Sequence, residues 1–345
     1  MSDGDILFDR PGGLGLITLN RPKALNAITL DMVRAMAAQL DAWEVDPKVH
    51  AVLIRGAGGK AFAAGGDILR LYKAMGDPSD GYPVPFFAEE YALNRRIKHY
   101  SKPYVALYNG IVMGGGVGVS VHGSRRIAAD NTMFAMPETG IGFFPDVGGA
   151  YFLPRLKGSL GRYMALTGGR LDGGDCVAEG LADAYVPTER HDDLIAALTV
   201  NKDVDAAIAS VAEPAPEGRL TARRDAIAVL FGRPTVTDVL AALEVADTDW
   251  AADQLKAIRQ KSPLSCVVTW EQLERGARLD FDGCMKLEYR LALACCRTGE
   301  FREGVRALIV DKDNKPNWLH PSIEAVPEAD MLKHFEAPAT GDLAF

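Results

Sequence analysis

A chain of 345 residues, 48% hydrophobic and 24% charged, has the make-up of an ordinary folded protein, long enough for one large domain or one and a half. That composition excludes a disordered chain, a collagen-like repeat and a small disulfide-stapled scaffold. A formal charge of −8 argues against general affinity for nucleic-acid phosphates, and no apolar run reaches the roughly 18 residues of a membrane-spanning helix.

In chain order, residues 1–13 (MSDGDILFDRPGG) are acidic and poor in apolar side chains, so they read as neither a signal peptide nor an Arg-rich transit sequence. Residues 14–19 are predicted as a strand that Asn20-Arg21-Pro22 breaks. Leu30, Val33, Met36, Ala37, Leu40 and Trp43 recur at helical spacing, with Thr29 as the N-cap and Asp46-Pro47 as the stop. Residues 49–55 (VHAVLIR) read as a buried strand, 103–112 (PYVALYNGIV) as another continuous apolar run, and 126–129 as a short one. Strands separated by helices of this length predict an α/β fold with parallel pairing.

Beyond about Leu194 the strand signals stop, and Pro214-Ala215-Pro216-Glu217-Gly218 reads as a linker. Trp250, Gln254, Leu255 and Ile258 share a helical face. Ser262-Pro263 is a cap with proline at the first helical position, opening a helix through Leu273. Leu287, Tyr289, Leu291, Leu293 and Cys295 lie in an apolar helix, and residues 301–309 continue helically after Gly299, with Gly304 counting against that stretch. The expected organisation is a core of residues 1–200 followed by a helical region, 201–345. Five cysteines (176, 266, 284, 295 and 296) are odd in number and lack metal or redox spacing. They read as buried, reduced thiols of a cytoplasmic protein.

Glycine is the unusual count: 35 residues, about one in ten, against an average near 7%. They concentrate between residues 56 and 183, above all in 56–67, 110–118 (GIVMGGGVG) and 140–149 (GIGFFPDVGG). Neither the lysine of a phosphate-binding P-loop nor a GxGxxG dinucleotide fingerprint at the first strand–helix junction is present. Met113-Gly114-Gly115-Gly116 lies between an apolar strand and a helix-like stretch, and Ala64-Gly65-Gly66-Asp67 has the same form. N–H groups at a helix start lack acceptors, and two such sites converging on one oxygen make an oxyanion hole. Glycines of this kind serve equally for tight helix–strand packing, and the pattern alone leaves both open.

Residues 20–27 (NRPKALNA), 61–68 (AFAAGGDI) and Gly110 with Met113 to Gly116 resemble the crotonase (enoyl-CoA hydratase/isomerase) superfamily. Within it, residues 114–123 (GGGVGVSVHG), 134–139 (FAMPET), 144–149 (FPDVGG), 285–290 (MKLEYR) and 301–313 (FREGVRALIVDKD) resemble the branch that hydrolyses 3-hydroxyisobutyryl-CoA. The resemblance implies an α/β fold with a crotonase-like ββα spiral core and a helical C-terminal region. It implies an acyl-CoA substrate whose thioester oxygen is held by the N–H groups of Gly66 and Gly115. Hydratases of the superfamily carry two glutamates; at the first of those positions this chain has Gly118, while the second is kept as Glu138. Eight residues later, in place of a hydratase glycine, stands Asp146. Glu138 as base or nucleophile, with Asp146 positioning or protonating, suits thioester hydrolysis.

By the same resemblance Glu90 hydrogen-bonds a substrate hydroxyl. CoA lies along Ala24, Leu25, Ala64, Gly66 and Ile68, with Asp67 near the adenine. The expected set is thus catalytic Glu138, Asp146, Gly66 and Gly115, substrate-binding Glu90 beside them, no cofactor beyond the substrate's CoA and no metal. No nucleic-acid or membrane partner is expected, and a homo-oligomer is a possible state. Arg95, Arg96, Lys98 and His99 form a basic cluster that meets CoA phosphates or simply faces solvent. Ser120 and His122 are two residues apart without a nucleophile elbow, which argues against a shared role. The competing readings are another crotonase-type reaction and a non-catalytic CoA- or RNA-binding scaffold. Gly118 and Asp146 weigh against the first, and the paired acids and negative charge against the second.

Overall fold

The computed structural model describes residues 4–77 and 79–345. The start of the acidic N-terminal stretch lies outside them. Backbone contacts divide the chain into two compact units, one of residues up to 66, 92–135 and 170–221, the other of 67–91, 136–169 and 222–345.

Among the described residues the first unit contains nine strands: β1 (Ile6–Asp9), β2 (Leu14–Leu19), β3 (Ala51–Gly56), β4 (Ala61–Ala63), β5 (Tyr104–Tyr108), β6 (Ile111–Met113), β7 (Arg125–Ala128), β8 (Met133–Ala135) and β9 (Ala184–Tyr185). They form a six-stranded sheet in the order β1-β2-β3-β5-β7-β9 and a three-stranded sheet in the order β4-β6-β8. Every pairing is parallel except β1 with β2. In chain order β3, β5 and β7 of the large sheet are each followed by a strand of the small one, β4, β6 and β8, so the chain winds by strand pairs up to β8.

All residues of β2 and β5 are buried, the run without polar alternation that a parallel sheet covered on both faces requires. On one face Leu14, Leu16, Leu53, Val105 and Ile127 pack with Leu194 and Leu198 of helix His191–Val200 and Ile208 of helix Val204–Ala209. On helix Leu30–Val45 the Trp43 ring comes so close to β2 that a Cβ on Gly15 would lie 2.7 Å from it. The predicted cap is in place, the Thr29 hydroxyl accepting the Met32 N–H at 3.2 Å, a contact worth about 1 kcal/mol.

The apolar run 103–112 is two strands in two sheets rather than one. Gly110, at φ +84°, turns the chain, and a Cβ there would lie 2.4 Å from the Lys60 carbonyl oxygen. Asn109 secures the turn through its side-chain amide, which donates to Gly56 O at 3.1 Å and accepts the Gly56 N–H at 3.3 Å. Asn-Gly is a turn signal, and here it outweighs the apolar residues on either side.

The second unit is helical. Ser262 caps helix Pro263–Gly276, Asp280 caps helix Phe281–Thr298 with its carboxylate 2.7 Å from Gly283 N, and Gly299 closes the latter at φ +85°. The stretch 301–309 begins as the α-helix Glu300–Val305 and widens to a π-turn over Arg306–Val310. Gly304 lies inside the α-helical part, against its propensity, because a Cβ there would be 2.3 Å from the Ile141 backbone. Among the described residues no strand follows β9, and no helix is long and apolar enough to cross a membrane.

Candidate active site

In the first unit the glycine-rich turns meet around β4. Ala64 N–H donates to Leu25 O at 3.0 Å, and Ile28 N–H donates to Gly65 O at 2.9 Å in a parallel bridge between Ile28 and Gly66. Asn26, fully buried at φ +57°, holds this corner. Its amide donates to Ala57 O at 3.0 Å and Ala61 O at 2.8 Å, and its oxygen accepts the Arg21 N–H at 2.9 Å. Ala24, Leu25, Ala64 and Gly66 of the expected CoA set are thereby brought together.

Gly115 is the first residue of the helical turn Gly115–Gly118, so its N–H has no acceptor within the turn. Gly114 before it adopts φ +49°, ψ −127°, open in practice to glycine alone, and Gly65 lies at φ +126°. Gly116 has a different role: a Cβ there would lie 2.4 Å from Ala63 O, so it permits close packing of the turn on β4. Gly118 is buried within the same turn and presents no side chain.

Asp67 and Ile68 open helix Ile68–Met75 in the second unit, where the Asp67 carboxylate accepts the Arg70 N–H at 3.2 Å as the N-cap. The side chain expected near the adenine therefore has a local structural task.

The acids lie in the second unit. Glu138 begins a short 3-10 turn, Glu138–Ile141, closed by Gly142 at φ +71°. A Cβ on Gly142 would be 2.2 Å from Glu300 O, and Ser262 N–H donates to Thr139 O at 3.1 Å. The turn is thus seated against the starts of helices Glu300–Val305 and Pro263–Gly276. The Phe143 ring that follows packs on Phe87, Phe144 and Phe301 at centroid distances of 5.7, 4.6 and 4.5 Å.

Asp146 stands on a second, tighter turn. Gly149 N–H donates to Asp146 O at 2.8 Å, Gly148 lies at φ +94° and Val147 at φ +51°. A β-branched residue held at positive φ costs about 1–3 kcal/mol and persists only where its surroundings impose it. The Tyr91 hydroxyl donates to Asp146 Oδ2 at 2.8 Å. Glu288 accepts the Gly148 N–H on Oε2 and the Ala150 N–H on Oε1, both at 2.7 Å, and the Gln272 amide donates to Pro145 O at 2.6 Å.

Four carboxyls are therefore buried here: Glu90 is 2% exposed, Glu138 and Asp146 each 6%, and Glu288 0%. Burial raises all four. Asp146 is pushed up to about 7 by burial, against the pull of the Tyr91 hydroxyl and its own backbone N–H. Glu138 is held well above the usual carboxylate range by burial and then by the neighbouring charge of Asp146, with Lys261 pulling the other way. Burial, then Asp146, does the same to Glu90. Oε2 of Glu138 and Oε1 of Glu90 are buried with no hydrogen-bond partner among the described residues. Such orphaned acceptors suit a group supplied from outside the chain. A cluster that shares protons near neutral pH can offer one ionised carboxylate as base or nucleophile beside a protonated one as acid.

The other sequence candidates have other occupations. The Ser120 hydroxyl is fully buried and donates to Gly116 O at 2.7 Å, a bond back to the helical turn Gly115–Gly118. Arg96 of the basic cluster is engaged by Asp41 and Glu44. All five cysteines are free, and burial pushes Cys266, Cys284 and Cys296 up to about 12, away from thiolate chemistry.

Sequence reading missed Tyr91, Gln272 and Glu288. Glu288 had a signal: its helix buries Cys284, Leu291 and Ala292 at the three- and four-residue spacings on either side of it, so an acid interrupts an apolar stripe.

The sequence pattern of the enoyl-CoA hydratase/isomerase family matches residues 14–335. The mitochondrial 3-hydroxyisobutyryl-CoA hydrolase of Homo sapiens is 43% identical, covering 99% of this chain and 91% of that protein. The Xenopus laevis protein of the same name is 44% identical, with the same coverage. Among solved structures, a carnitinyl-CoA dehydratase from Mycobacterium thermoresistibile superposes with a TM-score of 0.94 at 42% identity, covering 99% of both chains. An enoyl-CoA hydratase from Rhodobacter sphaeroides 2.4.1 gives 0.93 at 39%, covering 99% of this chain and 100% of that one. With its crotonase-like α/β core and C-terminal helices, this chain belongs to the enoyl-CoA hydratase/isomerase family.

Proposed function

We propose that this chain hydrolyses short 3-hydroxyacyl-CoA thioesters, 3-hydroxyisobutyryl-CoA foremost, to the free hydroxy acid and CoA, a step of valine degradation. The observation that carries this reading is the buried Glu138 and Asp146 pair, together with the bare backbone at Gly118. Adding water across a double bond in this superfamily uses an acid at the Gly118 position, whereas opening a thioester needs a base or nucleophile and a proton for the leaving thiolate. Relatives 41–44% identical over nearly the whole chain carry the corresponding name.

In this reading the N–H groups of Gly66 and Gly115 take the charge that develops on the thioester oxygen. Glu138 draws a proton from water as it attacks the carbonyl carbon, or attacks directly to give an anhydride that water opens. The C–S bond breaks, and Asp146 supplies the proton that the thiolate takes. The orphaned oxygen of Glu90 receives the substrate's 3-hydroxyl, and CoA runs along Ala24, Leu25, Ala64 and Ile68. No step requires a metal.

A second reading, hydration or dehydration of an acyl-CoA, is favoured by the names of the two solved structures that superpose best among those given above. A panel of acyl-CoA esters assayed with a thiol reagent separates the two. Free CoA released fastest from 3-hydroxyisobutyryl-CoA supports hydrolysis, and enoyl turnover with background thiol release overturns it.

A further inference from the structure

We infer that Glu288, with Gln272, is a positioning residue for Asp146, holding the strained turn that aims this carboxyl. The inference rests on the hydrolase reading above, since Asp146 is the group it serves. Glu288 is fully buried on a helix whose neighbouring positions are apolar, and a buried acid is retained at a cost that an apolar side chain would avoid. Both its oxygens are used on one short stretch of backbone, Gly148 N–H on one and Ala150 N–H on the other. Two bonds from one carboxyl to one short stretch of backbone fix an orientation as well as a distance.

The stretch they fix needs holding. Val147 at φ +51° and Gly148 at φ +94° immediately follow Asp146, and a valine released from that conformation returns to negative φ. Such a change would rotate the backbone at Asp146 and draw its carboxyl from Tyr91. Gln272 secures the other side of Asp146 by its bond to Pro145 O, and Gly276 lets its helix meet Ala150 at a distance no side chain would permit. Two helices far along the chain thus grip Asp146 from Pro145 to Ala150, while touching neither Glu138 nor Glu90 through any hydrogen bond among the described residues.

The test is a double-mutant cycle on the full chain. Glu288→Gln keeps shape but places an amide donor where only acceptors fit. It is expected to lower kcat for CoA release by about 30-fold or more while KM stays within about 3-fold. Because Glu288 acts through Asp146, adding the substitution to Asp146→Asn should slow that variant by less than about 2-fold, whereas an independent structural role would multiply the losses. Hydrogen exchange of the peptide spanning 146–152 should rise by about 10-fold or more in Glu288→Gln. If Glu288→Gln does not fold, Gln272→Met applies the same cycle at Pro145 with an expected loss of about 5-fold. Multiplying losses, or unchanged exchange with kcat near the parent's, overturns the inference. An active parent is required by the hydrolase reading alone: if no acyl-CoA yields free CoA, that reading fails, and the exchange rates still decide whether Glu288 holds the turn.

Discussion

The two regions that carry the proposed chemistry are built on opposite principles. Around Gly66 and Gly115 the working groups are backbone amides, presented by glycines at Gly65 and Gly114 in conformations that other residues rarely adopt. Around Glu138 and Asp146 they are side chains, buried, mutually repelling and held by residues more than a hundred positions away in sequence. A backbone N–H does not titrate at working pH and costs nothing to keep neutral. A buried carboxyl responds to pH and weakens the fold that holds it. The contrast assigns pH dependence and stability cost to the acids, and charge stabilisation without either to the glycines.

The largest test of that division removes the acids. Glu138→Gln and Asp146→Asn should each lower kcat for thioester hydrolysis by about 10³-fold or more, with CoA affinity, measured calorimetrically, changed by less than about 3-fold. Either variant retaining a tenth of the parent's rate would remove that residue from the chemistry. Next comes the backbone: Gly114→Ala forces a side chain into a conformation reserved for glycine and shifts the Gly115 amide. A loss of about 10²-fold in kcat is expected, the usual scale for a damaged oxyanion hole, with the pH–rate profile keeping its midpoint. A moved midpoint would break the comparison, because it would tie the glycine turn to the titrating groups.

The acids should set that midpoint. Burial pushes Asp146 up to about 7, and burial, then the Asp146 charge, holds Glu138 well above the usual carboxylate range. The value of kcat/KM should fall toward acid pH as the raised Glu138 carboxyl takes up its proton, because the base must be ionised. Removing the Asp146 charge lowers the Glu138 carboxyl, so the residual activity of Asp146→Asn should have its acid limb at lower pH than the parent's. An unmoved or raised limb would show that Asp146 does not act on Glu138 electrostatically.

The same contrast explains what could be read in the chain before its structure was known. Gly65 and Gly114 act through their own backbone conformation, so their sequence neighbourhood announces them, whereas the Asn109-Gly110 turn, secured on Gly56 and packed on Lys60, was hidden by the apolar run 103–112. Glu138, Asp146 and Glu90 were visible only through resemblance, because a carboxylate on a loop looks the same whether solvent or a buried cluster surrounds it. Tyr91 and Gln272 were silent, since their partners, Asp146 Oδ2 and Pro145 O, lie 55 and 127 residues away. Gly304 was misleading as a helix breaker, because its role is set by Ile141 on another element. Local conformation is written locally, and a buried polar network is written in pairings that one sequence does not display.

The smallest effect separates the regions by stability. Asp146 has its carboxyl raised from an ordinary 3.8 to about 7, so between those values the folded chain holds a proton that the unfolded chain releases. The contribution of this proton to stability is complete below about pH 4 and is lost as pH rises through about 7. Asp146→Asn stays neutral throughout, and its amide oxygen can still accept the Tyr91 hydroxyl. Its melting temperature should therefore exceed the parent's by about 3–6 °C at pH 8, while at pH 4 the advantage should vanish. Gly114→Ala has no such crossover and should lower the melting temperature by a similar amount at both pH values, because strain at φ +49° does not titrate. Scanning calorimetry at the two pH values reads both variants. If Asp146→Asn melts no higher than the parent at pH 8, the fold carries the ionised aspartate without penalty, and the acids do not bear the stability cost that distinguishes them from the glycines.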